Sequence, residues 1–302
     1  MMDAGLTQVY GTLSNHEMSP TNAFMPSEVN NSTMWLFGMI SKAWSRWVGP
    51  STDITNFGRY SVKHPSSNLR IISLNTNLYY TLEFCIYELM DSPDPNHQLQ
   101  WLTNKLDSAE RSGERVYIIG HMPMGSPDAF RDASNRFDQI VNRYEATIAA
   151  MIFGIEIYLC PGIPRGPKLN STGHTYLDHF EISYSNYQNQ AAETAVSVSY
   201  IAPSISPLPG MPAFRVNTVD PVTFGILDVE TYIADMDQAE FQTKPVWTKS
   251  YSAKQSYGSL IRPSLNHRPI TELTPAFWHN VTTILETDSA TFNTYWSRRT
   301  RG

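Results

Sequence analysis

Four positions in this chain carry side chains suited to holding a metal ion or a phosphate. Asn15 and His16 follow the apolar run Val9 to Leu13, His121 follows Val116 to Gly120, and His174 follows Gly173. The layout repeats: a short apolar strand, then a polar side chain on the turn beyond it. In sheets flanked by helices, ligand sites gather where strands end at their carboxyl side, so turns from several strands meet at one point. Neutral imidazole and an amide oxygen suit zinc, iron or manganese. Each motif alone is weak, because Asn15 could equally cap a turn, His16 could equally be ordinary surface, and a histidine after a buried strand often only satisfies backbone groups. His64, His97, His179, His267 and His279 lack the strand-end setting and read as structural or solvent-exposed, with His179 kept in view for its closeness to His174. Asp178 and Glu181 read as alternating strand positions, and the Trp and Met residues as core.

The elements that must position these residues follow from periodicity. Trp35, Met39, Ala43 and Trp47, four apart, predict an amphipathic helix over 34–47. The run 69–78 predicts a buried strand. Leu99, Leu102 and Leu106 predict a helix over 97–112, stopped by Gly113. A short strand is expected at 116–119, then a helix over about 136–151 with Phe137, Ile140, Val141, Tyr144 and Ile148 on one face. Further strands are expected at 151–154, 177–184, 195–201, 213–219 and 224–233, and a C-terminal helix at 276–297. The segment 155–172 breaks the rhythm: it holds three Pro, two Gly and an isolated Cys. A long irregular loop is uncommon between adjacent elements of a compact domain.

Bulk properties narrow the class. A length of 302 residues allows one large domain or two small ones, and 41% hydrophobic against 17% charged residues excludes a disordered chain. The net charge of −6 leaves no clustered basic footprint for nucleic acid, apart from the short Arg298, Arg299 and Arg301 tail. No apolar run is long enough to span a membrane. The first residues lack the pattern of a signal peptide, which read alone says cytoplasmic. Asn-x-Ser/Thr sequons at Asn30, Asn31, Asn170 and Asn280 point weakly to the secretory route. Two cysteines, Cys85 and Cys160, could form at most one disulfide.

Order and wording add what spacing does not. SNHE, then GHMP, then GHT resembles the blocks of the calcineurin-like metallophosphoesterases. NHEMSPTNAFMP, NNSTMWLFGMISKAWSRWV, RIISLNTNLYY, QLQWLTNKLDSAERSGERVYIIGHMPMG, NRYEATIAAMIFG, YIAPSISPLPGMPAFRV and LTPAFWHNVT resemble the acid sphingomyelinase branch. The resemblance runs over nearly the whole chain except 155–172. It implies a two-metal phosphodiesterase, usually with zinc (Zn2+), secreted or of lysosomal or vacuolar type. The implied substrate is a choline-headgroup sphingolipid such as sphingomyelin, with ceramide and phosphocholine as products. By position it implies Asn15, His121 and His174 as ligands of the second metal, and His16 as the histidine that contacts the phosphate and stabilises or protonates the leaving oxygen. Partners are then a phosphodiester lipid and the surface of a membrane rather than its interior.

The chain departs from that pattern. Asp-x-His and Gly-Asp, the family's first two blocks, occur nowhere in it. The expectation is that the N-terminal part of the domain is missing, with the bridging carboxylate, most ligands of the first metal and their strands, so that at most one metal is held and the chain is impaired. Tyr176 stands where the last block has a histidine, and Ser14 where a glycine precedes Asn15. The segment 155–172 splits what should be a continuous FGHT, reads as an in-frame insertion, and is expected to be exposed and poorly ordered. The expected fold is α+β of layered α/β type: an incomplete metallophosphoesterase β-sandwich flanked by helices. Residues 1–235 would form the C-terminal part of that domain and 236–302 a helical extension. Two other readings stand beside the enzyme: a non-catalytic, secreted relative that binds phospholipid or phosphocholine, and a gene-model fragment.

Overall fold

The computed structural model describes residues 8–154, 156–160, 168–171, 175–207, 210–261 and 270–302, with backbone alone at 156–160 and 168–171. His174 lies outside the described residues. The elements in chain order are β1 (Gln8–Gly11), α1 (Met34–Val48), α2 (Thr52–Phe57), β2 (Tyr60–Lys63), β3 (Leu69–Ser73), α3 (Gln98–Arg111), β4 (Arg115–Gly120), α4 (Arg131–Arg143), β5 (Ile148–Phe153), β6 (Glu156–Cys160), β7 (Lys168–Ser171), β8 (His179–Tyr184), β9 (Ala195–Ile201), β10 (Ala213–Val219), β11 (Ile226–Ala234), β12 (Trp247–Ser252), α5 (Ala253–Ile261), α6 (Pro275–Thr287) and α7 (Ser289–Thr300).

Two sheets of six strands form the frame. One runs β1-β6-β7-β10-β11-β12 and is antiparallel throughout. The other runs β2-β3-β4-β5-β9-β8, with β3, β4, β5 and β9 parallel and an antiparallel strand at each edge. Parallel neighbours need a long crossover, and α3 and α4 provide it between β3 and β4 and between β4 and β5. The second sheet is buried on both faces. One face packs on the first sheet and the C-terminal helices, joining Ile71, Tyr117, Ile119 and Ile152 to Val219, Val229, Tyr257 and Trp278. The other packs Ile72, Val116, Ile118 and Met151 against Leu102 and Leu106 of α3 and Phe137 and Val141 of α4. This explains why β4 reads as an unbroken apolar run rather than an alternating one. The expected layered sandwich with flanking helices is present.

Several local expectations need correction. Helix α1 is present, but its buried residues are Leu36, Phe37 and Ser41, while Trp35 is 57% and Met39 62% exposed. Leu36 and Phe37 sit with Leu13 and Phe24, one residue further round the helix than the predicted stripe. Helix α4 starts and ends earlier than expected, and Ile148 belongs to β5, where it joins the parallel ladder with β4. The run 69–78 is strand only to Ser73, and a 3₁₀ turn takes Thr76–Tyr79. Within 155–172 the described residues are strand rather than irregular loop: β6 and β7 pair with each other and fill the place between β1 and β10. The stretch EIYLC favours a strand, and two flanking strand edges offer it partners. The predicted C-terminal helix is two, because Asp288 turns its carboxylate to the amides of Ala290 and Thr291 and starts α7 there. Strand β12 precedes the helices and pairs with β11, so the region after 235 is helical only from Ala253.

Candidate functional site

Strands β3, β4 and β5 run parallel, so their carboxyl ends lie side by side, and the end of β1 reaches them from the other sheet. The Thr12 hydroxyl donates to the Gly154 carbonyl at 2.7 Å, and Gly154 N–H donates to the Gly120 carbonyl at 2.8 Å. These two bonds bring the segment after β1 to the segment after β4. At Gly120 a side chain would collide: an added Cβ would lie 2.8 Å from Thr76 Cγ2 and 3.2 Å from the Phe153 ring. Glycine is what lets the chain turn there and place His121.

The consequence is a meeting of residues 106 apart in sequence: His121 Nε2 lies 2.9 Å from Asn15 Oδ1. Both are buried, at 2% and 5% exposure. Asn15 Nδ2 donates to Asn22 Oδ1 at 2.8 Å, which leaves Oδ1 facing the imidazole. Behind His121, the Thr76 hydroxyl accepts the N–H groups of His121 (3.2 Å) and Met122 (2.9 Å). Asn77 Nδ2 donates to the Ser14 carbonyl at 3.4 Å, and Asn75 and Gln98 exchange two bonds beneath it. Ser14 N–H donates to the Glu17 carboxylate, fixing the backbone where the resemblance expects glycine.

His16 sits beside this pair but is exposed, its N–H donating to Ser14 Oγ at 3.2 Å. Tyr176 is half-buried with a left-handed backbone (φ 61°). Among the described residues no group of three or more His, Cys, Asp or Glu could hold a metal. The pair's donors are one amide oxygen and one imidazole nitrogen, a combination suited to a divalent transition ion. They fit as part of a coordination shell and do not complete one.

Glu83 is buried behind the loop that follows Asn15. Its Oε1 accepts Phe24 N–H at 2.7 Å and Cys85 N–H at 3.4 Å, while Phe84 N–H donates to the Asn22 carbonyl at 2.9 Å. Burial pushes its carboxyl up to about 7, against the two amides that favour the ion. Asp178, read as a strand position, precedes β8 and is wholly buried against Arg215. His179 opens β8, pulled down to about 4 by burial and by Arg215 and Arg299. Sequence reasoning missed Asn22, Thr76, Asn77 and Glu83. Asn75-Thr76-Asn77 carried a usable signal, because it follows strand β3 as Asn15-His16 follows β1.

No family model matches the chain. It is 33% identical to the sphingomyelin phosphodiesterase of Homo sapiens over 301 residues, covering 97% of this chain and 42% of that protein. Sphingomyelin phosphodiesterase B of Dictyostelium discoideum is 33% identical over 256 residues, covering 83% of the chain and 36% of that protein. Human acid sphingomyelinase-like phosphodiesterase 3b is 30% identical over 273 residues, covering 83% and 53%. A dimetal phosphatase from Danio rerio aligns in structure with a TM-score of 0.39 and 11% identity, over 73% of this chain and 70% of that one. The chain spans 42% of the first of these relatives. With about 30% identity over most of its own length, the chain is a homologue of the sphingomyelin phosphodiesterases.

Proposed function

We propose that the chain carries one part of the hydrolytic site of a metal-dependent phosphodiesterase acting on a sphingomyelin-type lipid, releasing ceramide and phosphocholine. The observation that carries this reading is the buried Asn15–His121 pair, two metal-type donors drawn 2.9 Å apart from distant points of the sequence. Asn15 Oδ1 and His121 Nε2 would hold the ion, with His174 as a further ligand. When bound, a divalent ion neutralises phosphate charge that the protein otherwise has to meet with hydrogen bonds. His16, next to Asn15 and open to solvent, would contact the phosphate and hold a proton for the leaving ceramide oxygen. Zinc is our choice of metal, since family resemblance and the amide–imidazole donors both suit it.

The same reading extends to setting. We place the protein on the secretory or lysosomal route. Asn30 and Asn31 are exposed just ahead of α1, where a glycan has room. No described helix is long and apolar enough to cross a membrane, so contact with lipid would be at the surface. These 302 residues contain neither Asp-x-His nor Gly-Asp, so we propose that the chain by itself turns over substrate slowly or not at all.

A chromogenic choline phosphodiester tests this. The chain alone should hydrolyse it no faster than its His16→Ala variant, and Tyr176→His alone should change nothing. Fusion to a family-typical N-terminal half, with Tyr176→His, should restore turnover that His16→Ala then lowers. Zinc-dependent turnover by the unmodified chain, lost on His16→Ala, would show that these residues complete a site unaided. A fusion that stays inactive while the chain still binds phosphocholine would favour the binding relative.

A further inference from the structure

We propose that Asn22 is a positioning residue for this site: it sets which end of the Asn15 amide faces His121 and closes the loop that presents His16. The proposal rests on reading Asn15 and His121 as a metal-holding pair only for its metal arm.

Two bonds join Asn22 to Asn15. Asn22 N–H donates to the Asn15 carbonyl at 3.2 Å, and Asn15 Nδ2 donates to Asn22 Oδ1 at 2.8 Å. Together they close residues 16–21 into a loop with its ends pinned. The turn needs a left-handed residue at position 22 (φ 62°), a conformation Asn tolerates better than most side chains. A third bond, from Phe84 N–H to the Asn22 carbonyl at 2.9 Å, ties this point to the turn after β3. The backbone of Asn22 is thus fixed from outside the loop, which places its side-chain amide beside that of Asn15.

The chemical consequence lies in the amide. An amide presents an acceptor at one end and donors at the other, and only the oxygen is a metal ligand. Because Asn22 accepts the Asn15 Nδ2 proton, Asn15 Oδ1 is turned toward His121. Without that acceptor nothing on this side distinguishes Oδ1 from Nδ2, and a flip would present an NH2 group to the ion. In the metal-free protein the same orientation holds His121 as the Nε2–H tautomer, since Asn15 Oδ1 can only accept.

Two substitutions separate side chain from backbone. Asn22→Gly keeps the left-handed turn and removes the acceptor. Asn22→Asp keeps the turn and can only accept, so it locks Asn15 in the observed orientation. In metal-free protein labelled with 15N, long-range 1H–15N spectra should show His121 as Nε2–H in the parent and in Asn22→Asp, with that preference lost in Asn22→Gly. Co2+ titration should then show affinity about 10- to 100-fold weaker in Asn22→Gly, the range typical for loss of an outer-shell partner, and undiminished in Asn22→Asp. Thermal melting should put both variants close to each other, which a merely structural role would not do while affinity splits. If Asn22→Gly leaves both the tautomer and the Co2+ affinity at parent values, the proposal is overturned. If the parent binds no Co2+, the metal reading fails while the tautomer comparison still decides the role of Asn22.

Discussion

Two of the buried polar clusters among the described residues, one around Asp178 and one at Asn15 and His121, are built differently. Around Asp178 both carboxylate oxygens are met: Oδ1 accepts Arg215 Nε at 3.0 Å, Arg215 NH2 and the Tyr251 hydroxyl at 2.9 Å, and Oδ2 accepts the Thr231 hydroxyl at 2.6 Å. The backbone follows, with Asp178 N–H donating to the Arg299 carbonyl. Carboxylate and guanidinium neutralise each other and join the sheets to the last helix. At Asn15 and His121 an amide oxygen and an imidazole nitrogen, both of metal-ligand type, meet at strand ends, beside an exposed histidine. Burial of polar atoms therefore does not mark a site by itself. What separates the clusters is charge balance and position: a buried ion pair in the frame, against an amide and an imidazole where parallel strands stop.

The frame should break hardest. Asp178→Ala leaves Arg215 buried without its counter-charge, and should cost about 3–5 kcal/mol in chemical denaturation, or prevent folding. A loss below about 1 kcal/mol, the worth of an exposed pair, would erase the contrast between the clusters. At the strand-end cluster a smaller loss is expected. Thr76→Val removes the acceptor for two buried N–H groups and should cost about 1–3 kcal/mol, while Thr76→Ser should recover most of it. A Val variant as stable as the parent, with the Ser variant the weaker, would show that the methyl group, not the hydroxyl, holds His121 in place.

The pH responses should be smaller and opposite in sign. Glu83 is raised from 4.5 to about 7 by burial, so its folded form holds a proton that the unfolded chain has released. Its contribution is present below 4.5 and is lost as pH rises through about 7. His179 is lowered from 6.5 to about 4, chiefly by burial, so its contribution is present above 6.5 and is lost as pH falls through about 4. Thermal melts across this range should show Glu83→Gln removing a decline toward neutral pH, and His179→Gln removing a decline toward acid. A Glu83→Gln melting profile parallel to the parent's would show that this carboxyl does not titrate differently on folding.

Much of the frame was legible because its strands are short apolar runs and its crossover helices carry regular leucines. β4, β9, β10 and α3 fall where periodicity put them. Periodicity failed where two phases competed. In α1 a Trp-Met stripe outshone the Leu36–Phe37 face that packs, and at Ile148 a helical spacing ran on into a strand. It failed also at 155–172, where Pro and Gly hid two strands that only the waiting sheet edges explain. At the site, Asn15 and His121 stand at strand ends as their sequence setting suggested. Asn22 and Thr76 were hidden because their role is to orient a neighbour, and orientation depends on a fold that brings residues 15 and 121 together.

The proposed site stands or falls with Asn15 and His121 holding a metal ion together. Calorimetric titration of the metal-free chain with Zn2+ decides this, with Asn15→Ala and His121→Ala run alongside and a circular-dichroism check that each is folded. One ion should bind per chain, with affinity lowered at least about tenfold by either substitution, since each would remove a proposed ligand outright. An ion bound equally well by the parent and both variants, or no binding by the folded parent, would contradict it.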